Sequence, residues 1–157
     1  MSKTLTLSEL TAWTGLDVLD HLELEVTIPV VAGIQAQGDL IVIPASMLET
    51  VTVSPYAHWQ QVPPAGIELL RSTAGGNPHT LVADAGGCRW TTEVRDFPAR
   101  LALGIVETTA IAYLIHPEHG GTGLAPGQYV IRRQREQATG TTWRNGSARR
   151  ADRLVAD

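Results

Sequence analysis

Short runs in which every second residue is apolar recur along this chain, each closed by glycine, proline or asparagine. That rhythm constrains the fold more than any other feature. Leu22, Leu24, Val26 and Ile28 alternate with Glu23, Glu25 and Thr27, the period-2 signature of a strand with one face in a core. Residues 40–43 are an unbroken apolar run, read as a strand covered on both faces and stopped by Pro44. Further strand candidates lie at 48–54, 67–71, 79–83, 88–94, 101–106, 108–115 and 127–135. Asp84-Ala85-Gly86-Gly87 reads as a hairpin turn joining 79–83 to 88–94. About nine short strands at spacings of roughly 8–12 residues predict an all-β fold, either a small β-barrel or a jelly roll or sandwich. No helical pattern falls between them, which disfavours a parallel α/β sheet.

One short helix is expected at 8–20. Ser8 is its cap, and Leu10, Trp13, Leu16 and Leu19 are its apolar points, with Gly15 weakening the middle. The chain therefore divides into an N-terminal helical segment (1–21), a β-domain (22–136) and an extended polar, basic tail (137–157). The tail is expected to end in a short strand near Arg153.

At 157 residues the chain can bury a core without covalent staples. Its single cysteine, Cys88, excludes an internal disulfide and a Cys-x-x-Cys zinc site. That thiol is read as buried in a strand, since no histidine stands near it in sequence. No apolar run is long enough to span a bilayer, and the first residues lack the pattern of a secretory leader. The expectation is a cytoplasmic protein with no membrane partner. Charged residues make up 18%, below the usual quarter, which fits either a face covered by a second subunit or a neutral Thr- and Gln-rich surface. Acidic residues crowd the first fifty positions, and arginines crowd the last thirty. Contact between the acidic and basic faces of neighbouring copies, pairing within one domain and a basic nucleic-acid surface all fit. The net charge of −4 makes nucleic acid the least favoured.

The densest chemistry is His116-Pro117-Glu118-His119. Pro117 pushes His116 toward an extended conformation, so the motif is a loop after a strand and not a helical zinc motif. Two imidazoles and a carboxylate converging there suit a divalent Zn, Fe, Ni or Mn ion. A third imidazole is expected from His79, with His58 as the second option. The expected metal set is thus His79, His116, Glu118 and His119. The weightier alternative is a structural loop in which Glu118 pairs with an arginine. Gly120-Gly121-Thr122-Gly123 is not a phosphate loop, because it lacks the Lys-Ser/Thr and a following helix. It reads as a glycine-rich turn, and 124–129 as a further turn feeding a strand whose Tyr129 packs down. Arg132, Arg133, Arg135 and Glu136 form a charged strand end, a solvated edge or an oligomer contact. No Gly-x-Ser-x-Gly elbow is present.

Leu114, His116, Glu118, His119, Leu124, Gly127, Tyr129 and Arg133-Gln134-Arg135-Glu136 spell a block that resembles small uncharacterised bacterial and phage-associated proteins. The likeness covers about 75–157. Such proteins carry an upstream Gly-x-x-Thr-Gly-His-x-His segment, where this chain has only His79. The resemblance implies no activity. A looser likeness of architecture links His116, His119 and Pro126-Gly127 to cupins, small barrels with a metal inside.

Two functional expectations follow. One is a homo-oligomeric β-domain with a metal or small-ligand pocket at the histidines. The other is a structural or assembly subunit of a phage-like or particle-like complex. A nucleic-acid accessory using the C-terminal arginines is third.

Overall fold

The alternating runs pair into two open sheets that share one core. The computed structural model describes residues 4–19, 22, 24–70 and 77–133, and the backbone alone of residues 71, 135–137, 142–144, 147–149 and 152–154. After a helix α1 (Leu7–Thr14) come β1 (Val30–Val31), β2 (Gln35–Gln37), β3 (Leu40–Pro44), β4 (Val51–Val53), β5 (Gln60–Gln61) and β6 (Ile67–Arg71). Then follow β7 (Pro78–Val82), β8 (Cys88–Thr91), β9 (Val94–Asp96), β10 (Ala102–Thr108), β11 (Ala112–His116), β12 (Gly120–Leu124) and β13 (Gly127–Arg133). One sheet has the order β1-β12-β11-β7-β6, and the other β2-β3-β13-β10-β8-β5. Leu81, Leu114 and Leu124 of the first sheet meet Val42, Trp90, Val106 and Ile131 of the second in one buried cluster. The all-β expectation holds, as a sandwich of open sheets and not as a closed barrel. Among the described residues no helix is long and apolar enough to cross a membrane.

Strand β11 is buried at all five positions because it is covered on both faces. Ala112 and Leu114 point into the sandwich. Tyr113 and Ile115 point the other way, against Leu5, Leu7, Leu10 and Ile28 of the N-terminal segment. That second cluster makes the segment a lid on the five-stranded sheet. Leu40 and Val42 of β3 are buried while Ile41 and Ile43 are partly open, so the expected two-faced burial belongs to β11.

The helix is shorter than expected. Thr6, not Ser8, is the cap: its hydroxyl accepts from Glu9 N–H, and the Glu9 carboxylate accepts from Thr6 N–H. Gly15, left-handed at φ 74°, ends the helix. The alternation at 22–28 makes no ladder strand. Its backbone folds back on the helix start instead, through Leu7 N–H to Val26 O, Ser8 N–H to Leu24 O and Ile28 N–H to Leu5 O. Residues 20, 21 and 23 lie outside the described set.

Asp84–Gly87 is a turn but not a hairpin, because β7 and β8 belong to different sheets. The return strand also splits in two, and β9 pairs with β4. The glycine-rich run 120–124 is a strand, not a turn, and it completes a hairpin with β11. Tyr129 packs down as expected, buried with its hydroxyl donating to Ala125 O. At the C-terminal end β14 (Arg135–Gln137) pairs with β17 (Asp152–Leu154), and β15 (Thr142–Arg144) with β16 (Ser147–Arg149). The side chains of Arg135 and Glu136, expected in a charged strand end, are outside the description.

Candidate functional site

The antiparallel ladder between β7 and β11 pairs Tyr113 with Val82, Leu114 with Leu81 and Ile115 with Thr80. One step further along stand His116 and His79, in phase with the inward-facing leucines. Their ring centroids are 4.4 Å apart. The tight turn Pro117–His119 returns His119 over the end of the sandwich, 4.5 Å from His116 and 6.4 Å from His79. His79 and His116 are buried and His119 is exposed. Three of the expected ligands are thus brought together. Glu118 is exposed and accepts from Asn77 Nδ2 at 3.3 Å. His58 is at a different place, exposed and paired with Glu93.

The partners of these rings decide their chemistry. The side-chain Nε2 of Gln37 donates to Leu114 O at 3.1 Å, which turns Gln37 Oε1 toward His79 Nδ1 at 2.8 Å. On its other side His79 Nε2 meets Asp39 Oδ1, also at 2.8 Å. Both ring nitrogens therefore face acceptors, and the doubly protonated imidazolium is the form that satisfies both. With the ring doubly protonated the contact is an ion pair, between side chains 1% and 8% exposed. His116 Nδ1 accepts from the N–H of Glu118 at 3.0 Å and of His119 at 3.3 Å. Its proton is thereby assigned to Nε2. Among the described residues no three His, Cys, Asp or Glu side chains stand in an arrangement that could hold a metal ion.

Gln37 and Asp39 come from β2 and its turn, on the edge of the six-stranded sheet, whereas His79 and His116 come from the five-stranded one. The network therefore bolts the two sheets together, and Gln35 adds a further cross-sheet bond to Gly123 O. Gln37-Gly38-Asp39 has the composition of a turn, and neither Gln37 nor Asp39 is in the expected ligand set. The usable signal was the two-residue turn at Gly38-Asp39, which sets Gln37 opposite the inward Leu40 and Gln35 opposite Val42, and an inward amide demands a buried partner.

Cys88 is not part of this cluster. It is buried in β8, where burial raises its thiol to about 11 against a smaller lowering by a hydrogen bond with Thr108.

A family model described as Domain of unknown function (DUF8820) matches residues 36–134, from within β2 to just past β13. The chain belongs to this family. Its matched span holds the entire Gln37–Asp39–His79–His116–His119 network, while α1 and β1 lie before it. As the resemblance implied, the family carries no assigned activity. No curated protein and no solved structure matches the chain.

Proposed function

We propose that this DUF8820 domain is a non-catalytic structural subunit that associates with copies of itself, and that its histidine cluster is an internal clasp. The observation that carries this reading is the placement of His79 between Gln37 and Asp39. A ring with both nitrogens donating has no lone pair with which to accept a proton as a general base or to bind a metal. The low charge content and the exposure of Ile34, Met47, Tyr56 and Phe97 support self-association. Such a subunit suits a particle-like assembly, the setting of the phage-associated proteins whose block the chain resembles. Light scattering tests it: a mass that is a multiple of 16.9 kDa is expected. A monomer throughout the micromolar range removes the reading.

A second reading, a divalent metal centre at His79, His116, Glu118 and His119, is favoured by the ring spacings of 4.4 and 4.5 Å. It requires His79 to lose a proton and release one of its two acceptors, and His116 to free its Nε2 by moving the proton to Nδ1, which gives up the two backbone N–H groups that Nδ1 accepts. Elemental analysis of tag-free protein decides it. About one ion per chain, lost in His116→Ala, supports a centre. A trace amount unchanged by that substitution removes it.

A further inference from the structure

The outer face of the six-stranded sheet divides into a covered half and an open half. Strand β9 lies over the covered half, where Asp96 accepts from Arg132 of β13, and Ile105 and Val130 are buried. At the open end four side chains form a straight row across four strands. Gln128 of β13 stands directly opposite Glu107 of β10, Glu107 opposite Arg89 of β8, and Arg89 opposite Gln61 of β5. With strands about 4.8 Å apart the row spans roughly 14 Å.

The row is organised by its own bonds. Arg89 Nε donates to Glu107 Oε1 at 2.8 Å, and Arg89 Nη2 approaches the same oxygen at 2.7 Å. Gln128 Nε2 donates to Glu107 Oε2 at 3.3 Å. The Arg89 guanidinium lies 4.0 Å over the Trp59 ring. Trp59 is held on both sides: Glu93 accepts the backbone N–H of His58, and Val62 N–H donates to Cys88 O beyond β5. Beside the row is a cavity of about 180 Å³ bounded by Gln61, Gly87, Arg89, Glu107 and Thr109.

We infer that this ladder is a binding site for a neutral saccharide of one or two pyranose rings. Charge selects the class. The single arginine is matched by the single glutamate, so the row attracts neither phosphate nor cation. The groups that remain are planar amide, carboxylate and guanidinium ends, of which those of Gln128, Glu107 and Arg89 hold one another in place. Two of Arg89's five N–H donors are used by Glu107. Each such end presents adjacent donors or acceptors in one plane, the geometry that vicinal hydroxyls meet with paired hydrogen bonds. The half-buried Trp59 indole, one face of which the Arg89 guanidinium covers, adds a rigid apolar edge beside them for the C–H groups of a sugar ring. None of these residues belongs to the histidine cluster, and the site stands whether or not the domain self-associates.

The test is a titration of the full chain with maltose, cellobiose, lactose and N,N′-diacetylchitobiose. It is followed by NMR through the Trp59 indole N–H, which is identified by its loss in Trp59→Phe. At least one sugar is expected to move that resonance saturably, together with the amides of Arg89 and Glu107, with a dissociation constant on the order of 1 mM. Arg89→Ala is expected to weaken binding at least about tenfold, roughly 1.4 kcal/mol. Gln128→Ala, on the exposed rim, is expected to weaken it less and serves if Arg89→Ala does not fold. Absence of a saturable shift with all four sugars at about ten times that concentration overturns the inference. So does undiminished binding in the folded variants.

Discussion

His79 Nε2 and Asp39 Oδ1 stand 2.8 Å apart across the two sheets, in side chains almost wholly shielded from water. Removing one partner of such a pair strands the other charge in a low-dielectric interior, which costs far more than the pair contributes net. Asp39→Ala is therefore expected to destabilise the fold by about 3–5 kcal/mol. Asp39→Asn, which keeps an acceptor facing the ring, is expected to lose about half as much. Urea unfolding at neutral pH measures both, with an unchanged m-value showing that stability alone has moved. A loss under about 1 kcal/mol for Asp39→Ala contradicts the clasp.

That pair also shows where sequence reading stops. The strands at 40–44, 102–108 and 127–133 were legible because a short apolar or alternating run bounded by Pro or Gly reports a local fact, a stretch of pleat that meets a core. The clasp was half legible. His79, His116 and His119 were singled out and do come together. Gln37 and Asp39 lie some forty positions before His79, and nothing in a turn sequence says which buried ring it will face. The sheet order was not legible for a related reason. The turn at Asp84–Gly87 has the composition of a hairpin, yet it carries the chain from one sheet to the other. Residues 22–28 alternate in sequence, but the described stretch 24–28 bonds to the helix start and makes a single bridge, Thr27 to Thr6, in place of a ladder.

The glycines of β12 were read as a turn because their role depends on the lid. A Cβ on Gly123 would come within 2.8 Å of Val30 Cγ2 and 3.1 Å of Pro29 O, against backbone that cannot yield. One on Gly121 would meet Ile28 Cδ1 at 3.0 Å and Leu10 Cδ2 at 3.1 Å, the ends of side chains that can turn. Gly123→Ala is thus expected to lower stability by about 1–3 kcal/mol and Gly121→Ala by less. Hydrogen exchange locates the effect: Gly123→Ala should speed exchange at the Gly123 and Ala125 amides, which bond to Pro29 O and Val31 O. Equal losses for the two substitutions would count against close packing of the lid.

Asp96 links acid stability to the cover over the second sheet. Burial pushes its carboxyl up, but the Arg132 hydrogen bond, the N–H groups of Leu101 and Ala102 and the Arg132 charge outweigh it. The net result lies below the ordinary carboxylate range. A depressed folded-state value means that the unfolded chain binds the proton more readily. The stabilisation is then complete above the unfolded carboxyl range, about pH 4, and is lost as pH falls through the lower folded value. Asp96→Asn is expected to be less stable than wild type at pH 7, by about 3 kcal/mol if Arg132 is left uncompensated. The gap between the two should narrow steadily below about pH 4 in urea titrations at stepped pH. A gap independent of pH is incompatible with this assignment.

Cys88 tests the depth of the core from the chemical side. Its thiol is raised to about 11 from 9.0, first by burial, with the Thr108 hydrogen bond lowering it by less. Only the thiolate attacks a disulfide reagent, so at pH 8 the shift alone reduces the reactive fraction about a hundredfold. Its residual exposure of 2% slows attack further, until the sheet opens. Labelling with an aromatic disulfide reagent is expected to be at least about a hundred times slower in the folded protein than in denaturant. Because a raised value favours the neutral thiol, the chain is most stable with respect to this group below its ordinary range. It should lose that stability as pH climbs from about 9 toward 11. Cys88→Ala removes the alkaline part of the loss while leaving a small cavity in β8, so its unfolding curve should fall below wild type at pH 7 and converge on it at high pH. Rapid labelling of the folded chain at pH 8 would place Cys88 at an accessible edge and not in the core between the sheets.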